Sequence, residues 1–502
     1  MSDATTNAVS SRLSERTAKE LADVIYQPGM AGFDHPALDA LCQLNEAHTV
    51  MLVEQGLIAR SAGQSLLRAM ARIRSEGVKA IDLDPQFEDS YFAFENRLAV
   101  IAENDAGYLH TGRSRNDLGA TLDRMRTRTL CLRMMEGLNQ ARAACEAKAA
   151  EHAESIMPGY THLQPAQPIT FGYFLTNVAS ALSREHDKIA AVYTRINRSS
   201  LGAAALAGTS FNVDRNRTAE LLGFDGIAEP CLEAVASRDF VTELLWTATS
   251  ALSVLSRVAQ DMYVFCTHEF AIISFPDRIA GTSSIMPQKK NMFALEYFRA
   301  AAGRSIGALT GALTNIKGSN YSIGLDSTRE GITDAWPSLA HFVDSMELLR
   351  LVFECVNVNA SRLEQRCYEN FSTATDLADG LVRECGLSFR EAHHVVGGAV
   401  QRAIDAGLDA TGMTVETIND SAEKELGRPL SITPQFVRDC LDPVRSVHAR
   451  TTSGGTAPSE VRRMLAALAA KRALDVSLVA TLRHKVNLAD ARLHQAVQSI
   501  AA

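Results

Sequence analysis

The sequence predicts an all-α protein whose centre is a bundle of long helices. Long segments without proline or glycine carry apolar residues at intervals of three and four, as the buried faces of helices do. Almost no stretch alternates apolar and polar residues in the manner of a half-buried strand. Glycine and proline become frequent after about residue 371, which indicates shorter helices there.

The segment Val241 to Phe270 gives the clearest helical signal, because it contains neither proline nor glycine. Its apolar residues include Leu245, Ala248, Leu252, Leu255, Ala259, Met262 and Cys266, which form one seam. The other faces, with Leu244, Val254, Val258, Tyr263 and Val264, are also largely apolar. A helix that is apolar nearly all round must be buried nearly all round. We therefore expect helices from several subunits to share one bundle.

The other elements follow the same pattern in chain order. Residues 1 to about 17 have the composition of a disordered segment, and residues 26–36, with two prolines, are predicted to be irregular. Helical patterns cover residues 38–75 and 92–102. They then cover the central segments 122–155, 170–197, 293–316 and 336–356. The Pro-rich stretch 157–168 between two of these is predicted to be a rigid connector.

Composition limits the classes of function. With 502 residues, 46% hydrophobic and 22% charged, the chain has the size and composition of a globular protein of two or three domains. The net charge of −8 argues against nucleic acid as the main partner. No run of about 18 apolar residues predicts a membrane span. Nine scattered cysteines and an N-terminus without an apolar signal core favour reduced thiols and the cytoplasm.

One polar loop carries the strongest chemical signal. Residues 281–291 combine a glycine, three hydroxyl residues and a proline, so they predict a loop between two long helices. Successive backbone N–H groups in such a loop can bind an anion, and Lys289 adds a positive charge. A solvated polar turn is the plain alternative. The stretch resembles the signature loop of the fumarase/aspartase superfamily, in which Ser283, Ser284, Pro287, Lys289 and Asn291 match and Thr282 replaces the usual glycine.

Further motifs resemble the argininosuccinate lyase branch of this superfamily. His110 to Asp117 match its arginine-rich signature, and Thr161 to Pro168 match its Thr-His-Leu-Gln-x-Ala-Gln-Pro motif. Glu88-Asp89 match its acidic motif, except that Tyr91 stands where histidine is expected. Asp89 could instead be a helix cap, since an acidic residue suits a helix start. Segments 375–379, 389–393, 441–443 and 454–458 resemble its C-terminal part.

The resemblance implies three helical domains, with boundaries expected at residues 1–112, 113–365 and 366–502. It also implies a homotetramer with active sites built from several subunits, and elimination of fumarate from an N-substituted aspartate. No metal or cofactor is expected, because arginine, lysine and amide groups can stabilise the charge that develops, and no nucleotide-binding glycine motif occurs. Fumarate together with an amine or amino acid would be the small-molecule partner.

Elimination needs a base at the carbon beside a carboxylate and positive groups around the dianionic aci-carboxylate that forms. The resemblance assigns Ser283 as the base and Lys289 as the cation that stabilises its ionised form. His162 is then the general acid for the leaving nitrogen or an orienting group, paired with Glu296. Sequence alone does not decide which of Ser283 and His162 is acid and which is base; we predict Ser283 as the base.

The substrate contacts that the resemblance implies lie on several segments. An arginine pair and an amide at a helix start can receive a carboxylate. Arg238 could equally form a helix-start ion pair with Asp239. The predicted substrate-binding residues are Arg115, Asn116, Thr161, Asn291, Arg238, Ser114, Ser284, Met286, Gln164, Asp89, Ile323 and Thr328.

The leaving amine is not fixed by these motifs. Argininosuccinate lyases contact it with Tyr, Gln and Lys from a loop, where this chain has Ile323, Thr328 and Gly331. Tyr91 and Leu118 are two further departures expected around the substrate. We therefore predict a related N-substituted aspartate, such as the aminopolycarboxylate ethylenediamine-N,N′-disuccinate. An authentic argininosuccinate lyase and a crystallin-like structural protein are the alternatives.

Overall fold

The computed structural model describes residues 12–13 and 15–502. The predicted disorder of residues 1 to about 17 therefore falls largely outside the described residues. The α-helices are α1 (Lys19–Leu21), α2 (Gln27–Met30), α3 (His35–Glu54), α4 (Arg60–Glu76), α5 (Ser90–Ala102), α6 (Arg115–Glu151), α7 (Phe171–Ile196), α8 (Arg215–Leu221), α9 (Cys231–Ala236), α10 (Asp239–Phe265), α11 (Phe293–Ile316), α12 (Leu325–Thr328), α13 (Ala335–Cys355), α14 (Ala360–Glu369), α15 (Ala374–Cys385), α16 (Phe389–Asp405), α17 (Val415–Leu426), α18 (Pro434–Cys440), α19 (Pro443–Ala449) and α20 (Pro458–Ala501).

The strands form short antiparallel pairs at the ends of these helices. They are β1 (Ile156–Thr161), β2 (Gln164–Thr170), β3 (Ile273–Ser274), β4 (Gly281–Thr282), β5 (Lys290–Asn291) and β6 (Asn357–Val358). In the described residues β1 pairs with β2, β3 with β6 and β4 with β5. The all-α prediction is thus confirmed, with strands confined to connections.

The core of the molecule is a bundle of α6, α7, α10, α11 and α13. Helix α6 has 37 residues and spans roughly 55 Å. Helix α7 runs antiparallel to it, because Gly172 donates to the carbonyl of His152 at 2.9 Å near one end. At the other end Arg124 donates to the carbonyl of Ile196 at 3.2 Å. The largest fully buried aromatic side chains of the bundle are Tyr193, Phe171, Phe298, Phe342 and Phe353.

Three contacts give the directions of the other bundle helices. Helix α10 is parallel to α6, since Arg238 at its start reaches Asp123 of α6 at 2.8 Å. Helix α11 returns antiparallel, since Tyr263 late in α10 donates to Glu296 early in α11 at 3.1 Å. The Arg126 guanidinium of α6 lies 4.3 Å from the ring centre of Trp336, which places the start of α13 near the start of α6.

Two smaller cores flank the bundle. Helices α3 to α5 enclose an N-terminal core, which Ile500 at the far end of α20 also joins. A separate core lies between residues 377 and 441. Helix α20 does not join this second core but runs back along α6, with ion pairs Arg472–Glu146 at 2.9 Å and Arg483–Glu136 at 2.7 Å. The segment predicted as one domain, 366–502, therefore contributes to the core between residues 377 and 441 and, through α20, to the surface of α6.

The helix predictions are confirmed for the bundle, and 293–316 is matched residue for residue. Gly137 lies within α6 and lets α13 approach, because a Cβ there would lie 2.9 Å from Met346. The helical pattern predicted over 38–75 is confirmed, and it is divided between α3 and α4. Gly56 adopts a left-handed φ of +67° just after α3, so the chain turns before α4. The irregular segment predicted at 26–36 contains helical turns instead.

Helix α10 is not fully covered by its own chain. Val254, Val258, Tyr263 and Val264 on its outer faces are only half-buried. On the neighbouring α11, Ile306 and Leu313 are about half exposed, and a Cβ at Gly303 or Gly307 would meet nothing within 4 Å. These faces could receive further helices, as expected for a bundle shared between subunits. No helix in the described part of the chain has the length and apolar content that crossing a membrane requires.

Candidate active site

The predicted site residues collect at two opposite ends of the bundle. We call the first the α6 end; it comprises the starts of α5, α6 and α10 and the loop 317–331. We call the second the hairpin end; it comprises the β1–β2 hairpin, the loop 281–291 and the start of α11. The length of α6, roughly 55 Å, separates them.

At the α6 end, the arginine-rich motif starts helix α6. Ser114 is the N-cap, and with Asp117 it forms a reciprocal capping box. The second oxygen of the buried Asp117 accepts from the N–H groups of Gly202 and Ala204 at 2.8 and 3.1 Å, which ties loop 202–205 to this helix start. Asn116 donates to the carbonyl of Ala205 in that loop at 3.0 Å. The helix start and the loop therefore form one rigid unit.

Arg115 is held by acidic residues of the preceding helix start. Its Nη1 lies 3.1 Å from Glu88 and 2.9 Å from Asp89, and its guanidinium lies 4.0 Å from the ring centre of Phe92. Asp89 is also the N-cap of α5 and accepts from the Phe92 N–H at 2.9 Å, so the cap interpretation is confirmed. Arg115 remains partly exposed, and its remaining N–H groups are available to a carboxylate.

Arg238 has a structural role in this chain. It is 5% exposed, its Nε donates to Asp123 at 2.8 Å, and its Nη1 donates to the carbonyls of Val235 and Ser237. The expected alternative, an ion pair with Asp239, is wrong, because the buried guanidinium takes its carboxylate from α6 instead. Burial raises the pKa of Asp123, against the effect of Arg238. The predicted substrate contact of Arg238 stays a prediction.

The loop 317–331 also lies at the α6 end. Ile323 packs against a small apolar cluster of Ala203, Ala234 and Val235. The Thr328 hydroxyl donates to the carbonyl of Gly324 at 2.8 Å, which closes the short helix α12. Ile323 thus borders loop 202–205, whose Ala205 accepts a hydrogen bond from Asn116.

Three of the five departures are buried within the single chain, and their place around the substrate stays a prediction. Tyr91 and Leu118 are 6% and 3% exposed and belong to the N-terminal core, because each lies on the inward face of its helix. Gly331 is buried, and a Cβ there would lie 2.7 Å from the carbonyl oxygen of Asp326. The other two departures, Ile323 and Thr328, are partly exposed.

At the hairpin end, the predicted rigid connector 157–168 is a β-hairpin formed by β1 and β2. Thr161 pairs with Gln164, and the two-residue loop between them is His162-Leu163. Their φ angles are +55° and +59°, as the primed hairpin turns require. Neither is the usual glycine or asparagine, so neither residue predicts a turn. Each non-glycine residue with a left-handed backbone conformation adds on the order of 1 kcal/mol of backbone strain. Such strain clusters at functional sites.

Aromatic packing holds the hairpin on the end of α10. The ring of Tyr160, next to the tip, lies 5.6 Å from that of Phe265 and 5.9 Å from that of Phe270. Thr161, His162 and Gln164 are all exposed at the tip. The hairpin therefore presents His162 outward from a rigid base.

The loop 281–291 is closed at its neck by β4 and β5, where Gly281 pairs with Asn291. Inside it, the Ser283 Oγ accepts from the N–H groups of Ile285 and Met286 at 3.4 and 3.1 Å. Backbone N–H groups directed at a hydroxyl oxygen stabilise that oxygen when it is ionised. Ser284 and Met286 are exposed on the same loop. This arrangement can support a serine base.

The two lysines of the loop have different environments. Lys290 is an anchor: it donates to the carbonyl of Phe275 at 2.7 Å and pairs with Asp277 at 2.7 Å. Its hydrogen bond lowers the pKa of Asp277. Lys289 is exposed, and its ammonium has no polar partner among the described residues. It is therefore the charge available to a substrate or to Ser283.

Glu296, in the first turn of α11, does not meet His162 within one chain. Its hydrogen-bond partner is the hydroxyl of Tyr263 at 3.1 Å, a contact that raises the pKa of Tyr263. The expected His162–Glu296 pair is not formed among the described residues of the single chain. The two side chains point outward from separate elements of the hairpin end, so a pairing would have to form in an assembly.

One cluster of potential metal ligands in the described residues lies outside both ends of the predicted site. Ligand atoms of His186, Asp187 and Asp475 lie within 4.8 Å of one another, between α7 and α20. However, Asp475 already pairs with Arg142 at 2.6 Å and with Lys471. Because two cations neutralise this carboxylate, the cluster is a partly buried ion-pair network rather than a metal centre, and it lies away from both ends of the predicted site.

Comparison with known proteins agrees with these motifs. Residues 34–307 match the family described as "Lyase", and residues 371–448 match "Argininosuccinate lyase C-terminal". The chain is 35% identical over 483 residues to argininosuccinate lyase 1 of Shouchella clausii (strain KSM-K16), covering 95% of this chain and 96% of that relative. It is 38% identical over 428 residues to argininosuccinate lyase of Methanococcus maripaludis (strain C5 / ATCC BAA-1333), covering 85% and 87% of the two chains.

Solved structures give the same picture. A crystal structure of EDDS lyase in complex with formate superimposes with a TM-score of 0.87 and 32% identity, covering 97% of this chain and 96% of that one. A variant of EDDS lyase with bound fumarate gives the same TM-score and identity. The chain therefore belongs to the fumarase/aspartase superfamily, in its argininosuccinate lyase-like branch, and is a fumarate-releasing carbon–nitrogen lyase.

Proposed function

We propose that this enzyme reversibly eliminates fumarate from an N-substituted aspartate, with Ser283 as the base. The observation that carries this proposal is the pair of backbone N–H groups, from Ile285 and Met286, directed at the Ser283 Oγ. The neighbouring Lys289 has an ammonium without a partner among the described residues, so it can stabilise the ionised hydroxyl.

The reaction proceeds through a dianion. Ser283 removes the proton from the carbon beside the β-carboxylate, which becomes an aci-carboxylate. Asn291 and Asn116 donate hydrogen bonds to its oxygens, and Lys289 neutralises part of its charge. The carbon–nitrogen bond then breaks, and His162 delivers a proton to the leaving nitrogen. Arg115 and Thr161 hold the succinyl part. Ser114, Ser284, Met286, Gln164 and Arg238 complete the proposed contacts.

A complete site requires more than one chain. Asn116 lies in the first turn of α6 and Thr161 lies beyond its last turn, so roughly 55 Å of helix separates them. We propose a homotetramer in which the α6 end of one subunit faces the hairpin ends of others. The half-covered faces of α10 and α11 would form its shared bundle. Glu296 could then reach a His162 presented by a different subunit.

The amine is proposed to differ from arginine. The loop that would contact it carries Ile323 and Thr328, and its Thr328 hydroxyl is already bonded within α12. An aminopolycarboxylate such as ethylenediamine-N,N′-disuccinate is one member of the proposed class, since EDDS lyase is a structural neighbour. Argininosuccinate is the second candidate, since the curated relatives are argininosuccinate lyases. The nine free cysteines favour the cytoplasm.

Two substitutions test the assignment of base and acid. Ser283→Ala should lower kcat by roughly 10²–10⁴-fold and abolish exchange of the substrate carbon-bound proton with deuterium oxide. His162→Asn should slow amine release while leaving that exchange measurable. Ser75→Ala, an exposed serine on α4, is the matched control and should change neither rate. Full turnover by Ser283→Ala would refute Ser283 as the base.

A further inference from the structure

The carboxylate of Glu296 is held by a residue that lies outside the family motifs. Glu296 is in the first turn of α11, and the hydroxyl of Tyr263 donates to its Oε1 at 3.1 Å. Tyr263 lies in the last turn of α10. Because both residues are on long bundle helices, the contact ties the exposed carboxylate to a rigid support within one chain.

Tyr263 is itself anchored. Its side chain is half-buried and packs against the bundle core, while its hydroxyl reaches Glu296 at the surface. The guanidinium of Arg299, one turn further along α11, lies 5.7 Å from the centre of the Tyr263 ring, and a cation in this position is attracted by the ring. The hydrogen bond to Glu296 raises the pKa of Tyr263, so the hydroxyl remains a donor at neutral pH.

The second oxygen of Glu296 remains available. Its Oε2 has no hydrogen-bond or ion-pair partner among the described residues, and Arg299 does not pair with it there. An ionised carboxylate accepts hydrogen bonds at both oxygens. Oε1 can therefore stay on Tyr263 while Oε2 accepts the ring N–H of a histidine. Without the first contact, an exposed glutamate would be spread over several rotamers.

We infer that Tyr263 is a positioning residue that directs the free oxygen of Glu296 at the His162 of a neighbouring subunit. This inference rests on the proposed function and adds a residue to it. One ring nitrogen of protonated His162 delivers its proton to the leaving nitrogen, while the other keeps its N–H bonded to Glu296, which stays ionised. The fixed carboxylate orients the imidazole and favours its charged form before the carbon–nitrogen bond breaks.

This role is the same for both candidate substrates. The leaving nitrogen needs a proton whether the amine is arginine or an ethylenediamine derivative. Tyr263 would act only through Glu296 and His162, so it should affect amine release and not the removal of the carbon-bound proton by Ser283.

The first arm of the experiment compares two rates of one variant. The full-length enzyme is incubated in deuterium oxide with argininosuccinate and, separately, with ethylenediamine-N,N′-disuccinate, and fumarate release is measured beside exchange of the carbon-bound proton. Tyr263→Phe should lower release by about three- to tenfold, the effect of one net hydrogen bond on a rate. Exchange, and the KM for fumarate in the reverse reaction, should stay within about twofold.

The second arm repeats Tyr263→Phe in the Glu296→Gln background. If Tyr263 acts through the carboxylate, its loss should change the residual release rate of that variant by less than about twofold, because the charge that it positions is already absent.

Tyr173→Phe is the matched control. Tyr173 is also half-buried against the bundle core, and its hydroxyl donates to the carbonyl of Gly454 at 3.2 Å. The two tyrosine substitutions should lower the thermal midpoint by similar amounts, whereas only Tyr263→Phe should slow fumarate release. This comparison separates a lost positioning contact from a weakened fold.

The outcomes distinguish this inference from the proposed function. An unchanged release rate in Tyr263→Phe would show no positioning role, and a faster one would show that the hydroxyl holds Glu296 away from His162. Equal losses in the wild-type and Glu296→Gln backgrounds, or a parallel loss of exchange, would show that Tyr263 does not act through Glu296. In each of these cases the wild-type activity stands. Neither release nor exchange by the wild-type enzyme would instead refute the proposed function, and the inference with it.

Discussion

The Nη2 of Arg113 donates a hydrogen bond to the hydroxyl of Tyr91 at 3.0 Å, directly beneath the start of α6. The same hydroxyl lies 3.2 Å from Glu95 and 3.1 Å from the Nδ1 of His110. Burial raises the pKa of Tyr91 to about 12, so the hydroxyl stays protonated at neutral pH. Tyr91 thus connects α5 to the residues that precede the proposed carboxylate receptor.

Replacing this hydroxyl should loosen the receptor. Tyr91→Phe leaves the buried Arg113 guanidinium without its side-chain acceptor, and an unsatisfied buried polar group costs about 1–3 kcal/mol. We expect a lower thermal midpoint and a KM for fumarate raised several-fold, because Ser114 and Arg115 follow Arg113 directly. Differential scanning calorimetry and initial rates measure the two effects.

The controls for this prediction use two other substitutions. Tyr91→His, the residue expected in the family motif, keeps a polar partner and should lose less than Tyr91→Phe. Tyr108→Phe, an exposed tyrosine near the same helix start, should change neither value. If Tyr91→Phe matches the wild-type enzyme in both its thermal midpoint and its KM for fumarate, the hydroxyl has no positioning role.

Sequence reasoning recovered the fold because helix formation in this chain depends on local signals. The bounds of α11 were predicted correctly, since apolar periodicity runs between a polar loop and Lys317. The hairpin tip was missed, because His162 and Leu163 are not turn formers and are held by the packing of Tyr160 on Phe265. Tertiary contacts override local preference there.

The same limit applies to the site. Motif spacing predicted which segments form the site, but it did not show which side chains face inward. Tyr91 and Leu118 lie in motifs beside predicted substrate residues, yet both are buried, because a helix turns neighbouring residues in different directions. Nor could sequence show that Arg238 pairs with Asp123, which precedes it by more than a hundred residues.

Close packing at the neck of the signature loop gives a second prediction. A Cβ on Gly281 would lie 2.1 Å from the ring of Phe293, which is far inside contact distance. Gly281→Ala should therefore displace the loop that carries Ser283 and lower kcat at least tenfold. Gly281→Ala combined with Phe293→Ala removes the clash and should recover part of that loss in steady-state assays. A double variant as inactive as Gly281→Ala alone would contradict this cause.

The hairpin tip gives a third prediction. Leu163 has a φ of +59°, a conformation that asparagine tolerates better than leucine. Leu163→Asn should therefore raise the thermal midpoint, with a gain of up to about 1 kcal/mol, and keep His162 in place with activity within threefold. Leu474→Asn, an exposed leucine on α20, controls for the loss of surface apolar area. A lower midpoint for Leu163→Asn than for this control would show that the tip is not strained.

The buried pair of Arg142 and Asp475 gives the last prediction, which concerns stability and its pH dependence. Arg142 is fully buried and contacts Asp475 at 2.6 Å. Burial acts to raise the pKa of Asp475, but hydrogen bonds from Arg142 and Lys471 outweigh it, and the pKa lies below its ordinary 3.8. Because the folded-state pKa is depressed, this group stabilises the fold fully above about pH 4, the unfolded value, and loses that effect as the pH falls through the folded value.

Asp475→Asn should lower the free energy of unfolding by about 3 kcal/mol at pH 7, because it leaves the Arg142 charge buried without a carboxylate. It should also flatten the decline in stability below pH 4, measured by urea unfolding at a series of pH values. Asp187→Asn, which removes the exposed partner of Lys471, is the matched control and should cost less than about 1 kcal/mol. Equal losses for the two variants would show that burial does not set the strength of this pair, since only Asp475 faces a fully buried cation.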